Sequence, residues 1–256
     1  MEGFFFGESG RQLYGVFHGA DPAAYQSRSV LLLYPVGQEY MRIHRAYRRL
    51  ADSLSDLGFD VLRFDYPGTG DSSGDFSEAS LASWKTGAIQ AYDELQTMAP
   101  SAQVDVVALR VGTIVARALV RERRVARLVL WEPRFEDAAY LRDFTDAIAA
   151  KGPTRPNFVA DDGSLHYNGF RFASELQAEL SHGSLADLEP RRVRSILALS
   201  THDLAEDPAL NRLFNRNDNW SVMQTEGPDD WSVLDSVGGL FLPEASLETI
   251  RHWLSQ

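Results

Sequence analysis

The stretch Val104-Asp105-Val106-Val107-Ala108-Leu109-Arg110-Val111-Gly112-Thr113-Ile114-Val115-Ala116 narrows the folds open to this chain more than any other. A β-branched run stops at Ala108, and small and apolar residues resume from Val111 at helical spacing, so a strand gives way to a helix across a sharp turn. Ala108 and Gly112, two positions either side of residue 110, are small. Small residues are needed where the backbone is strained and strand and helix pass too close for larger side chains. The residue at the apex, Arg110, is a permanent cation with a pKa above about 12 and cannot serve as a nucleophile.

The rest of the chain supplies a sheet for that unit. Residues 4–6 and 12–18 read as an opening antiparallel hairpin around Gly7-Glu8-Ser9-Gly10, with His18 expected at the surface. Ser29 to Tyr34 is a continuous apolar run suited to a strand buried on both faces, and a helix is expected from Ile43 to Leu57, closed by Gly58. Phe59–Phe64 and Ala126–Trp131 read as further strands, and a helix runs from Glu78 to Met98. Alternation then breaks between Pro133 and Pro190, where amphipathic and Gly/Pro/Asp-rich segments follow one another. That insertion is too short to bury a core of its own and reads as a lid, 133–190, on a core made of 1–132 and 191–256. Ser195–Ser200 and Trp220–Gln224 are the last expected strands, and Leu247–Leu254 is the closing helix.

Composition removes several classes of function. At 256 residues the chain has room for one α/β domain with an insertion. A formal net charge of -11 argues against nucleic acid or an anionic membrane as a partner, so an anionic ligand needs a local positive site. With no cysteine there is neither a disulfide framework nor a thiolate. No run approaches the roughly 18 apolar residues of a membrane span, and Met1-Glu2-Gly3-Phe4-Phe5-Phe6 lacks the character of a signal peptide, which points to the cytoplasm.

Four places together resemble the α/β-hydrolase superfamily: Tyr34-Pro35-Val36-Gly37-Gln38-Glu39, Phe64-Asp65-Tyr66-Pro67-Gly68-Thr69-Gly70-Asp71-Ser72, Ala108-Leu109-Arg110-Val111-Gly112, and Leu130-Trp131-Glu132-Pro133 with Ala139-Tyr140-Leu141. Within it, the chain is similar to bacterial hydrolase-like proteins associated with exosortase systems. The resemblance implies a mostly parallel central sheet with helices on both faces, and it makes the turn at 110 a nucleophile elbow. It also implies a triad, and here the chain departs. Arg110 stands at the nucleophile position, Asp203 at the acid position, and Thr225-Glu226-Gly227-Pro228-Asp229-Asp230-Trp231, where the histidine belongs, contains none. Without nucleophile and base, acyl-enzyme hydrolysis has no machinery.

A cation at the start of a helix faces the positive end of the helix dipole and calls for a negative group. Two answers are compatible. One is internal, a bidentate pair with Asp203, Asp229 or Asp230 that plugs the old site. The other is external, a ligand carboxylate, phosphate or enolate oxygen held between Arg110 and the backbone amides of Val36, Gly37 and Val111, the former oxyanion hole. Asp203 or Glu39 would then handle protons, while Tyr167 in the lid and Asp230 and Trp231 after the last strand would contact the ligand. The expected function is binding of a small acyl or carboxylated molecule, with non-covalent hydrolysis or acyl-type chemistry if turnover occurs. The alternative is a non-catalytic accessory protein of a biosynthetic pathway, with a carrier protein as a candidate partner; a conventional serine esterase ranks third. No cofactor is expected, and Glu132, Asp203, Asp229 and Asp230 lack metal-ligand spacing.

Overall fold

The computed structural model describes residues 1–100, 103–151, 157–216, 218–227 and 242–256. Strands β1 (Glu2–Phe6), β2 (Leu13–His18), β3 (Arg28–Leu33), β4 (Phe59–Phe64), β5 (Gln103–Leu109), β6 (Arg127–Trp131), β10 (Ser195–Ser200) and β11 (Trp220–Gln224) form one sheet. Its order is β1-β2-β4-β3-β5-β6-β10-β11. β1 pairs antiparallel with β2, and β2 with β4, while every pairing from β4 to β11 is parallel. The central strands are buried on both faces, which is why Val30 to Leu33 and Val106 to Leu109 read as unbroken apolar runs.

Helices α1 (Gln38–Asp56), α2 (Leu81–Met98), α3 (Gly112–Glu122) and α7 (Glu244–Ser255) flank that sheet. α1 buries Ile43, Ala46, Tyr47, Leu50, Ala51 and Leu54, one stripe at the 3.6-residue period. It begins five residues before the expected Ile43 because Gly37, at φ 61, turns the chain straight from the loop after β3 into the helix. Gly58 ends it at φ 88, where a Cβ would lie 1.8 Å from the Ala24 carbonyl oxygen. α2, by contrast, starts later than its expected Glu78: Ser80 caps it in a reciprocal box with Ser83, and Phe76–Glu78 forms a separate 3₁₀ turn.

Between β6 and β10 the chain builds helix α4 (Ala138–Lys151), a small antiparallel sheet of β7 (Phe158–Val159), β8 (Leu165–Tyr167) and β9 (Phe170–Phe172), and helix α5 (Ser174–Leu180). Helix α6 (Pro208–Phe214) lies between β10 and β11. The small sheet is not foreshadowed in the sequence, because strands of two or three residues are too short to show a period. No helix among the described residues is long and apolar enough to cross a membrane.

His18 contradicts its expected place at the surface: it is 2 % exposed. β2 is an interior strand, covered by β1 on one edge and β4 on the other. Its Nδ1 lies 2.8 Å from Asp52 Oδ1, and Arg63 Nε donates to its Nε2 at 3.0 Å, so the proton sits on Nδ1 and is donated to Asp52.

Candidate functional site: an arginine at the elbow

The turn between β5 and α3 holds Arg110 at φ 52, a left-handed conformation that non-glycine residues adopt only under constraint. Its N–H donates to the Trp131 carbonyl at the end of β6 at 2.9 Å, and its carbonyl accepts from Thr113 Oγ1 at 2.7 Å. The Thr113 hydroxyl proton is thereby used, and Tyr140 OH accepts from the Arg134 N–H at 2.9 Å. The Tyr140 hydroxyl therefore donates to Thr113 Oγ1, 2.9 Å away. A Cβ at Gly112 would stand 2.7 Å from the Leu33 carbonyl oxygen and 2.8 Å from that of Tyr34. The small residue after the apex is thus set by the close passage of α3 over the end of β3.

The guanidinium points inward, and Arg110 is 1 % exposed. Its Nε donates to Glu39 Oε1 at 2.9 Å, and Nη2 lies 2.9 Å from the same oxygen. Nη2 also donates to Asp143 Oδ2 at 2.6 Å, an oxygen shared with Arg134 Nη2 at 3.1 Å. The Tyr140 ring lies 5.2 Å from the guanidinium carbon, in cation–π range. Two helices converge on the elbow: α1 brings Glu39 from its first turn, and α4 of the insertion brings Tyr140 and Asp143.

The two carboxylates differ. Glu39 is fully buried, and its Oε2 has no hydrogen-bond partner among the described residues. Asp143 keeps 28 % of its side chain exposed. Burial pushes the Glu39 carboxyl above its usual range, against the opposing pull of Arg110. For Arg110 burial works against the charge, but Glu39 and Asp143 outweigh it and hold the guanidinium pKa above its ordinary value.

The internal partners are therefore not those expected from the triad corners. Asp203 is exposed and caps a 3₁₀ turn, its Oδ1 accepting from the Ala205 N–H at 2.8 Å, and no ion pair joins it to Arg110 among the described residues. Asp229, Asp230 and Trp231 lie outside the described residues. His252, the one histidine in the sequence beyond Asp203, sits exposed on α7 with Nε2 2.8 Å from Gln256. Val111 follows Arg110 and precedes the first residue of α3, and Val36 and Val111 are both buried. A Cβ at Gly37 would meet the Phe172 ring at 3.1 Å and Phe170 at 3.6 Å, so the loop after β3 lies under β9 of the insertion.

Tyr167 is buried and packed in that cover. Its ring is 5.0 Å from Phe144, which in turn lies 5.4 Å from Phe172. Asp143 and Arg134 were missed in the sequence. Asp143 had a signal, since it abuts the buried stripe of Tyr140, Leu141, Phe144 and Ile148 on α4. Glu132, at φ 51, accepts from Ser200 Oγ at 2.7 Å, Thr201 N at 2.8 Å and Thr201 Oγ1 at 3.0 Å, which ties the ends of β6 and β10 together. Among the described residues no group of three or more His, Cys, Asp or Glu is arranged to hold a metal ion.

This geometry matches solved structures over almost the whole chain. Est1E from Butyrivibrio proteoclasticus with bound ferulic acid superposes with a TM-score of 0.68 at 15% identity, over 98% of this chain and 97% of that one. The chain has the α/β-hydrolase fold. A proline iminopeptidase from Mycobacterium smegmatis (TM-score 0.63, 15% identity, 99% and 97% covered) is similar as well. So is the enol-lactonase from Burkholderia xenovorans LB400 (TM-score 0.60, 18% identity, 98% and 100% covered). No protein-family model and no curated protein matches the sequence. The hydrolase-fold elbow thus presents a guanidinium, ion-paired to α1 and to the insertion.

Proposed function

We propose that this protein binds a small carboxylated or acyl molecule at Arg110, without forming an acyl-enzyme, by exchanging the Asp143 carboxylate for the ligand's. The observation that carries this reading is the asymmetry of the two ion pairs. Glu39 is a buried, permanent partner, whereas Asp143 is partly exposed, sits on the inserted segment and has Arg134 as a second partner to fall back on. In this reading residues 133–190 act as a lid, with 1–132 and 191–256 as the core, and the Val36, Gly37 and Val111 amides line the ligand's oxygen. The setting is cytoplasmic; in the alternative reading the protein is a non-catalytic accessory of a biosynthetic pathway with a carrier protein as its partner.

A second reading rests on Glu39. A buried carboxylate with a raised pKa and an unpartnered oxygen beside a fixed cation is suited to taking a proton from water while Arg110 polarises a carbonyl. That would be non-covalent hydrolysis, with Asp203 standing too exposed to share the task.

Calorimetric titration with ferulate, the carboxylate bound by Est1E, tests the first reading. Asp143→Asn removes the internal competitor and should tighten ferulate binding about tenfold, while Arg110→Met should abolish it. Unchanged affinity in both variants would overturn the proposal.

A further inference from the structure

Three arginines are buried among the described residues: Arg63, Arg110 and Arg117. Arg110 has Glu39 and Asp143, and Arg117 has Asp137. Arg63, 6 % exposed on β4, has no carboxylate within ion-pair distance among the described residues. Its Nε donates to the neutral His18 Nε2, Nη1 reaches Tyr34 OH at 3.4 Å, and Nη2 meets only the Met1 sulfur at 4.0 Å. A buried guanidinium without a carboxylate is the costly half of an ion pair.

Arg63 borders a cavity of about 150 Å³ that shares no residue with the Arg110 cluster. Arg63, Tyr34, His44, Asp65 and Asp71 all line it. The acceptor side is rigid. Asp65 Oδ1 accepts from Tyr40 OH at 2.7 Å and Oδ2 from the Asp71 N–H at 3.0 Å. A Cβ on Gly70 would come within 2.1 Å of Asp65 Oδ2, so only glycine lets this turn close around the carboxylate. Asp71 is exposed at the edge of the same turn. A guanidinium and two carboxylates around one small space set the chemistry of an occupant.

We infer that this cavity binds a small zwitterion, its carboxylate on the Arg63 guanidinium and Tyr34 hydroxyl and its ammonium on Asp65 and Asp71. A simple carboxylate would satisfy Arg63 but face the two aspartates unpaired, and a simple amine would leave Arg63 without its anion. The small volume restricts the class to the smallest amino acids.

Calorimetric titration of the full chain with glycine, acetate and methylammonium tests this. Glycine should bind saturably at one site per chain, with acetate and methylammonium each at least about tenfold weaker. Asp71→Asn, a surface change that leaves the fold intact, should bring glycine down towards acetate, and Arg63→Gln should abolish both. Glycine should bind equally well with the elbow saturated by ferulate, which separates this site from the elbow. Absence of saturable glycine binding up to about 10 mM, or equal affinity in wild type and Asp71→Asn, would overturn the assignment.

Discussion

Replacing Arg110 by Met should destabilise the protein by about 3–5 kcal/mol, the cost of removing one partner from a buried ion pair. Glu39 is wholly buried and already has one oxygen unpartnered, so losing the guanidinium strips the hydrogen bonds from its other oxygen. Asp143 contributes little to this figure, since it is 28 % exposed and retains Arg134; its own replacement by Asn should cost about 1 kcal/mol or less. The double variant Arg110→Met/Glu39→Met removes both charges and should lie within about 1 kcal/mol of wild type. Urea unfolding measures all four corners of the cycle. At a slope of about 3 kcal/mol/M, the Arg110→Met midpoint should fall by roughly 1–1.7 M and the double variant should recover nearly all of it. The deficit should also depend on pH. Burial raises the Glu39 pKa, so the native state holds its proton more tightly than the unfolded chain does. The stability this contributes is present at low pH and lost as pH rises through the folded-state pKa. With Arg110 gone, the deficit should therefore shrink from pH 7.5 to pH 5, by up to about 1.4 kcal/mol per pH unit. Additivity of the two single variants within about 0.5 kcal/mol would refute the coupling.

Gly112→Ala places a Cβ against two backbone carbonyls that cannot move independently of β3, and should cost about 1–3 kcal/mol or more in the same urea assay. His18 has its pKa lowered, first by burial and then by Arg63, so the unfolded chain binds a proton that the native state resists. Its contribution is present above the unfolded pKa of about 6.5 and is lost as pH falls below it. Thermal melts from pH 7.5 to 5.5 should show a loss of stability that is smaller in His18→Gln.

Much of the fold was legible because its signals are local. The strand–turn–helix around Arg110 announces itself in adjacent residues, and the apolar runs of β3, β4, β5 and β6 reflect burial on both sides of a parallel sheet. Where the sequence misled, the deciding fact was distant or silent. α1 starts at Gln38 behind Gly37, which offers no side-chain cap as a marker. His18 is buried because β1 and β4 flank β2, a matter of strand order rather than of composition. The partners of Arg110 followed the same rule: the expectation of Asp203 came from the place of an acid in a triad, but the pairing depends on which carboxylates the packing delivers. Glu39 arrives from α1 and Asp143 from the insertion, 71 and 33 positions away along the chain. The position of Glu39 beside the loop after β3 suggests a proton carrier from sequence, whereas its packing makes it the buried partner of Arg110.

The central claim is that a guanidinium, held by Glu39 and Asp143, has replaced the attacking oxygen of this fold. Intact-mass measurement after incubation with a fluorophosphonate probe tests it most directly. The account predicts an unmodified chain, because Arg110 holds the apex and no serine–histidine pair stands at the elbow among the described residues. A single phosphonate adduct on a serine, accompanied by loss of esterase turnover, would contradict it.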